Sequence, residues 1–326
     1  MIFLQCGSSP LMKQKSRGGR YLMNPGVRLL LQEIGRQLDQ GVFPRVTNGG
    51  FVVLSEPAVP LTLGTENDHE SEERQRRPAA GSRSGSAGWQ GPSGGSRPPG
   101  HATPVVGADL QAQVEDQLSG LHQQYPGAQL WHQDDGVWLL TTSKLLPGLS
   151  QYAIFLTGIS FPWRMVRSWA FWGHPLSAPV WIGPRHTNFP DGSICAFEPT
   201  DGTWALGDSP AKLLDIYTLW AVRHLHLQVL GRWPGRQRVH YPAERLLELR
   251  PDEYCGCANG DKLYGECCMS DDLARNRIRD ALTFFWRSGG FREPPHAVTT
   301  FVRDLKQPPD LRSFSPILDT SDCSLS

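Results

Sequence analysis

Apolar positions in VRLLLQEIGRQL, at Leu29, Leu30, Ile34 and Leu38, recur near helical spacing and predict a short amphipathic helix over Val27 to Leu38. VTNGGFVVL predicts a hairpin turn feeding a strand, because Asn-Gly accepts the positive φ that such turns need. Leu110, Val114, Gln117, Leu118 and Leu121 trace a second helix, which Pro126-Gly127 ends. AQLWHQDDGVWLLTT then reads as two strands around an Asp135-Gly136 turn, and QYAIFLTGISFPW and AFWGHPLSAPVWIG follow as strand-like, aromatic-rich runs. Trp163, Trp169, Trp172, Trp181 and Trp220 are expected in the core. Beyond Pro210, Leu213, Leu214, Tyr217, Trp220, Ala221, Leu225 and Leu227 keep helical spacing. Helix, antiparallel strands, an irregular loop, then helix is an α+β order, not a βαβ alternation. A last helix is predicted over Leu273 to Trp286, followed by a loose Pro-rich tail.

The apolar pattern collapses from about Gly64 to Thr103, where ENDHESEERQRR gives way to GSRSGSAGWQGPSGGSRPPG. Such a stretch buries too little to offset the entropy of ordering and reads as a flexible linker. The chain therefore divides into an N-terminal extension of unassigned role (1–63), a disordered linker (64–104), a main domain (105–245), a metal-binding motif with its helix (250–290) and a flexible tail (291–326). The 32 basic and 32 acidic side chains cancel, which argues against a broad nucleic-acid surface. No apolar run is long enough to span a membrane, and MIFLQCGSS has no basic residues ahead of its apolar stretch, so neither a membrane helix nor a secretory signal is expected. Four of the seven cysteines lie within 255–268, a spacing that suits a metal cluster with further free thiols in a reducing, cytoplasmic compartment better than a disulfide framework.

Chemistry concentrates in the irregular stretch Pro184 to Trp204, PRHTNFPDGSICAFEPTDGTW. Its lone Cys195 has His186 nine residues before it and Asn188 seven before it. A single Cys is most often a small buried hydrophobe. Here Asp191-Gly192 forces a tight turn just before Ile194-Cys195, and Pro190 and Pro199 stiffen both sides; a thiol held at the end of such a turn can be accessible, as a nucleophile must be. Cys195 with His186 would also suit a Cys–His hydrolase, which lacks an identifiable second orienting residue.

This stretch resembles the active site of ubiquitin-conjugating enzymes, which carry His-Pro-Asn, a glycine turn, Ile-Cys and then a Trp. The matching residues are His186, Asn188, Gly192, Ile194, Cys195 and Trp204, with Thr187 in place of the family's central proline. His174-Pro175 to Pro179-Val180 is similar to the family's proline-punctuated strand entry, Ser209-Pro210 and its helix to the next step, and Leu110–Leu121 to the first helix. The resemblance covers about 105–235. Trp233-Pro234-Gly235 and the compact loop are closer to the bacterial members, which accompany activating enzymes and deubiquitinating peptidases and in several cases serve antiviral defence against phage.

The resemblance implies an α+β ubiquitin-conjugating-enzyme-like fold of N-terminal helix, antiparallel β-meander, active-site loop and C-terminal helices. It implies a transferase whose Cys195 accepts the C-terminal glycine of a ubiquitin-like protein as a thioester from an activating enzyme and passes it to an amine, usually a lysine of an acceptor protein. Asn188 would be the oxyanion donor, or would hold the loop through backbone hydrogen bonds. His186 would chiefly bond within its own loop, and Trp204 would pack beneath it. Asp208 reads first as a helix N-cap before Ser209-Pro210, second as a proton acceptor or orienter for the amine. Membrane and nucleic-acid partners are not expected. The alternative is a non-catalytic relative that binds a ubiquitin-like protein or an activating enzyme, although such relatives usually lack the cysteine.

Residues 254–268, YCGCANGDKLYGECC, place Cys255 and Cys257 on one side of an Asn259-Gly260 turn and Cys267 and Cys268 on the other. Four thiolates so spaced suit a closed, structural, tetrahedral zinc site. The run is similar to the small zinc motif at the C-terminus of preprotein translocase ATPases, with Cys255, Cys257, Gly260, Lys262, Tyr264, Cys267 and Cys268 matching and a middle one residue longer. His224 and His226, two apart on a helix, point to different faces and are not read as a metal pair.

Overall fold

The computed structural model describes residues 24–55, 106–162, 165–197, 202–239, 241–257, 261–287 and 292–314, with backbone alone at 106–110 and 285–287. The linker expected over 64–104 and Trp163 lie outside the described residues. Helix α1 (Pro25–Asp39) opens on Asn24, whose side chain accepts from the Gly26 N–H, and Pro25 supplies the φ that a first helical residue needs. Val27, Leu31, Ile34 and Leu38 line its buried stripe. Strands β1 (Arg45–Thr47) and β2 (Phe51–Val53) pair antiparallel across the predicted turn, and Val52 joins the same core. Residues 24–55 are therefore not a separate arm; they share one core with the residues from 106 onward.

Helices α2 (Val106–Ser119) and α3 (Leu121–Gln124) lead into a five-stranded antiparallel meander, β3 (Gln129–Gln133), β4 (Gly136–Ser143), β5 (Tyr152–Ser160), β6 (Met165–His174) and β7 (Ser177–Trp181). The β3–β4 turn sits one residue earlier than expected, at Asp134-Asp135, because Gly136 already pairs with Gln133 and Ser160. Side-chain alternation sorts the sheet into two faces. Val137, Leu139, Ala153, Phe155 and Ala170 meet Val114 and Leu118 of α2, the α1 stripe and helix α4 (Pro210–Leu230). Trp138, Leu140, Ile154, Leu156, Trp169 and Phe171 form the opposite face.

Over 292–314 that opposite face corrects the reading of 291–326 as a loose tail; residues 315–326 lie outside the described residues. Past helices α5 (Pro242–Glu248), α6 (Met269–Ala274) and α7 (Arg277–Arg287), helix α8 (His296–Asp304) lays Val298, Phe301 and Val302 on it, and the turn Leu311–Phe314 adds its two end side chains. Pro309 O accepts from Trp138 Nε1 and Gln133 Nε2, at 2.8 and 2.9 Å. The prolines that suggested looseness bracket a short helix instead. The helix predicted over Leu273–Trp286 is two, α6 and α7, interrupted at Arg275-Asn276. Among the described residues no helix is long and apolar enough to cross a membrane. The fold is thus mixed α+β, with helices on both sides of an antiparallel meander.

Candidate functional site

After β7 the chain stays beside β6 for one more bond, Ile182 N to Ala170 O, and then leaves the sheet as the loop that carries Cys195. Asn188 N donates to Ser193 O and Gly192 N to Asn188 O, closing a tight turn, and Ile194 N returns to Ser168 O of β6. Gly192 has φ +63°, and a Cβ there would press on Trp181 and on the backbone of Glu293 and Pro294, so the turn requires glycine. Asp191 anchors it. Its carboxylate accepts from Arg167 Nε at 2.8 Å and from the Ser193 backbone and hydroxyl, while its carbonyl takes the Trp169 indole N–H. Arg167 and Asp191 are both buried, so the pair fixes the turn to β6 in a low-dielectric setting. The sequence reading took Asp191 only as a turn former; an Arg on the sheet face opposite an acidic turn was the missed signal.

Cys195 emerges from this turn half-buried, its N–H donating to His186 O at 3.0 Å. Asn188 Nδ2 donates to Ser193 Oγ at 3.2 Å and to Ile194 O at 3.0 Å, so its amide holds the residue that precedes the thiol. His186 lies at positive φ, stacks on Trp233 with ring centroids 4.1 Å apart, and places Nε2 2.9 Å from Gln237 Oε1. Arg185 Nη2 donates to the same Gln237 oxygen, which makes the oxygen an acceptor and His186 Nε2 the donor. Burial, and secondarily the Arg185 charge, hold the His186 pKa well below the usual histidine value. A neutral imidazole committed to Trp233 and Gln237 is a poor general base, which weighs against a Cys–His hydrolase.

Trp204 is buried beneath the loop as expected, edge-on to Phe197 and donating from Nε1 to Ser209 O. Asp208 is not the α4 cap. Ser209 occupies that position, and the Asp208 carboxylate accepts from Ala205 N and pairs with Lys212 at 3.8 Å. His224 and His226 are both buried; His224 packs against Trp220 and Trp233, and His226 Nδ1 meets Arg232 O, so no shared site forms.

The four cysteines of 255–268 do come together. Their sulfurs lie within 4.8 Å of one another, with Cys257–Cys267 at 3.6 Å and Cys267–Cys268 at 3.7 Å. A disulfide needs about 2.05 Å, whereas four thiolates around one tetrahedral ion at about 2.3 Å stand about 3.8 Å apart. The cluster could therefore hold a metal ion. Gly256, at φ +75°, lets the chain fold back so closely that a Cβ would meet Val239 N at 2.7 Å. Cys255 N donates to Lys262 O, and Val239, Leu249, Cys255 and Tyr264 make a small core of their own. Burial and the neighbouring thiols push Cys268 above the ordinary thiol value, a state that a bound cation reverses. The Asn259-Gly260 turn lies outside the described residues.

The two sites are joined through residues that the sequence reading passed over. Arg185, one residue before His186, forms a buried bidentate pair with Glu253, two residues before Cys255. No family model, curated protein or solved structure matches this chain.

Proposed function

We propose that the chain is a ubiquitin-like-protein conjugating enzyme with Cys195 as the acyl-carrying nucleophile. The observation that carries this reading is a partly open thiol at the end of a turn bonded into the sheet edge, between an antiparallel meander and a long helix. The resemblance of His186, Asn188, Gly192, Ile194, Cys195 and Trp204 to the family's motif supports it, as does the order of α2, meander, loop and α4.

In this account the Cys195 thiolate attacks the thioester between a ubiquitin-like protein's C-terminal glycine and an activating enzyme's cysteine. The carbon–sulfur bond to that cysteine breaks as the bond to Cys195 forms, and the departing thiolate balances the incoming one. An acceptor amine, such as a lysine, then attacks the carbonyl, the Cys195 thiolate leaves and the amine's proton passes to solvent. Asn188 keeps the thiol's approach fixed through its bonds to Ser193 Oγ and Ile194 O; to serve as the oxyanion donor that the family resemblance implies, a contact worth about 3–4 kcal/mol, it would turn one of those N–H groups to the carbonyl. His186 serves as a structural post. Zinc is the ion that best suits four thiolates, and when bound it cross-links a segment too small to fold by itself.

The test is Cys195→Ser with activating enzyme, ATP and a ubiquitin-like protein. An adduct that survives thiol reductant, where wild type gives one that does not, is expected; a reductant-labile adduct on the serine variant overturns the assignment. A non-catalytic binding module predicts association without any adduct.

A further inference from the structure

The base of the Cys195 loop is tied to the cysteine cluster along two separate routes. On the first, Glu253 is fully buried and accepts from Arg185 at 2.7 and 3.2 Å, from Trp233 N at 2.6 Å and from Arg250 N at 3.0 Å. Gln237 accepts from Arg185 and His186 on its oxygen and donates from its nitrogen to Tyr254 O at 2.7 Å. His186 O then takes the Cys195 N–H. The residues immediately before Cys255 therefore reach the nucleophile's own backbone through two side chains. Val239 N, two residues after Gln237, bonds Gly256 O between the first two cysteines.

On the second route Asp272 N bonds Cys268 O, and the Asp272 carboxylate takes both ends of the Arg245 guanidinium at 2.7 and 2.8 Å. Arg245 lies on α5, whose Glu244 and Glu248 hold Arg292 at 2.7 and 3.1 Å. Arg292 donates to Pro184 O at 2.6 Å and lies over the Phe189 ring, 3.9 Å from its centroid. Pro184, Arg185 and His186 are thus all linked through hydrogen bonds and ion pairs to the segments that carry the cluster.

We propose that Arg185, Gln237 and Glu253 are positioning residues through which an ion held at Cys255, Cys257, Cys267 and Cys268 orders the loop that presents Cys195. Among the described residues the cluster's own core has four buried side chains, one of them Cys255 itself, so without the ion the segment 253–268 loses its cross-link and Tyr254 O and Glu253 no longer sit still. Arg185 and His186 then lose their shared partner, and the hydrogen bond that fixes the Cys195 backbone opens. Occupancy of a site remote from the chemistry would in this way set the readiness of the thiol; in that last respect the inference rests on the acyl-carrier reading.

Amide hydrogen exchange on the full chain under reducing conditions tests it, with Zn2+ as the probe ion, and requires no acyl transfer. Removal of Zn2+ with a chelator is expected to speed exchange in peptides spanning 184–197 at least about tenfold, while β4 and β5 peptides keep their protection, and added Zn2+ restores the loop. Gln237→Met is expected to loosen the same peptides with the ion still bound, by less than chelation does, because the Arg185–Glu253 pair and the Arg245–Arg292 route remain. Unchanged loop protection after verified metal loss overturns the inference, and so does simultaneous loss of protection in β4 and β5, which would mean general unfolding. Should Gln237→Met not fold, the chelation result decides. These outcomes are separate from whether Cys195 forms a thioester.

Discussion

At the scale of single residues the loop is a set of buried polar commitments. Removing one partner of a buried ion pair strands the other, so Asp191→Ala should lower unfolding stability by about 3–5 kcal/mol in denaturant titration, far more than Cys195→Ala at the half-buried thiol. His186, His224 and His226 are all held below the usual histidine value, chiefly by burial, with His224 at about 3. Such groups are neutral when folded but take up protons on unfolding below about pH 6.5. Stability should therefore fall on acidification from about 6.5, by up to about 1.4 kcal/mol per pH unit for each fully buried histidine. Thermal melts from pH 7 to 5 would check this, and His224→Asn should flatten the slope if the protein stays folded. The spacing of His186, Asn188 and Cys195 was readable from the chain, as was the cysteine cluster. The ties between them were not, because Arg185–Glu253 and Arg167–Asp191 join residues 68 and 24 positions apart.

Among the secondary elements, those with long periodic patterns were legible. Helix α4 buries the predicted apolar stripe, whereas α1 forms where predicted but buries Val27 and Leu31 with Ile34 and Leu38 and leaves the predicted Leu29 exposed; each predicted strand run holds a strand or hairpin. Helix α8 was missed because nine residues are too few to declare themselves; such a helix is stable only against something. The clue lay elsewhere, in the unbroken apolar run Val137–Leu140, which requires cover on both sheet faces. Phe301→Ala, which empties the middle of that cover, should cost about 3–5 kcal/mol in chemical denaturation. A loss under about 1 kcal/mol would mean that α8 does not seal the sheet.

For the molecule as a whole, the N-terminal helix, the meander, the Cys195 loop and the cysteine cluster are parts of one unit, and in the proposed account the cluster braces the loop. Metal analysis of freshly purified, reduced protein should find one zinc per chain, and Cys257→Ser should lower that content and the melting temperature together. A chain that carries no metal and melts unchanged on chelation would remove the bracing role. The central claim is that Cys195 is the atom that carries another protein's C-terminus. Intact-mass measurement of wild type and Cys195→Ala, each incubated with activating enzyme, ATP and a ubiquitin-like protein, tests it most directly. The account predicts a reductant-labile adduct one modifier in mass on wild type and none on the alanine variant; equal adducts on both would contradict it.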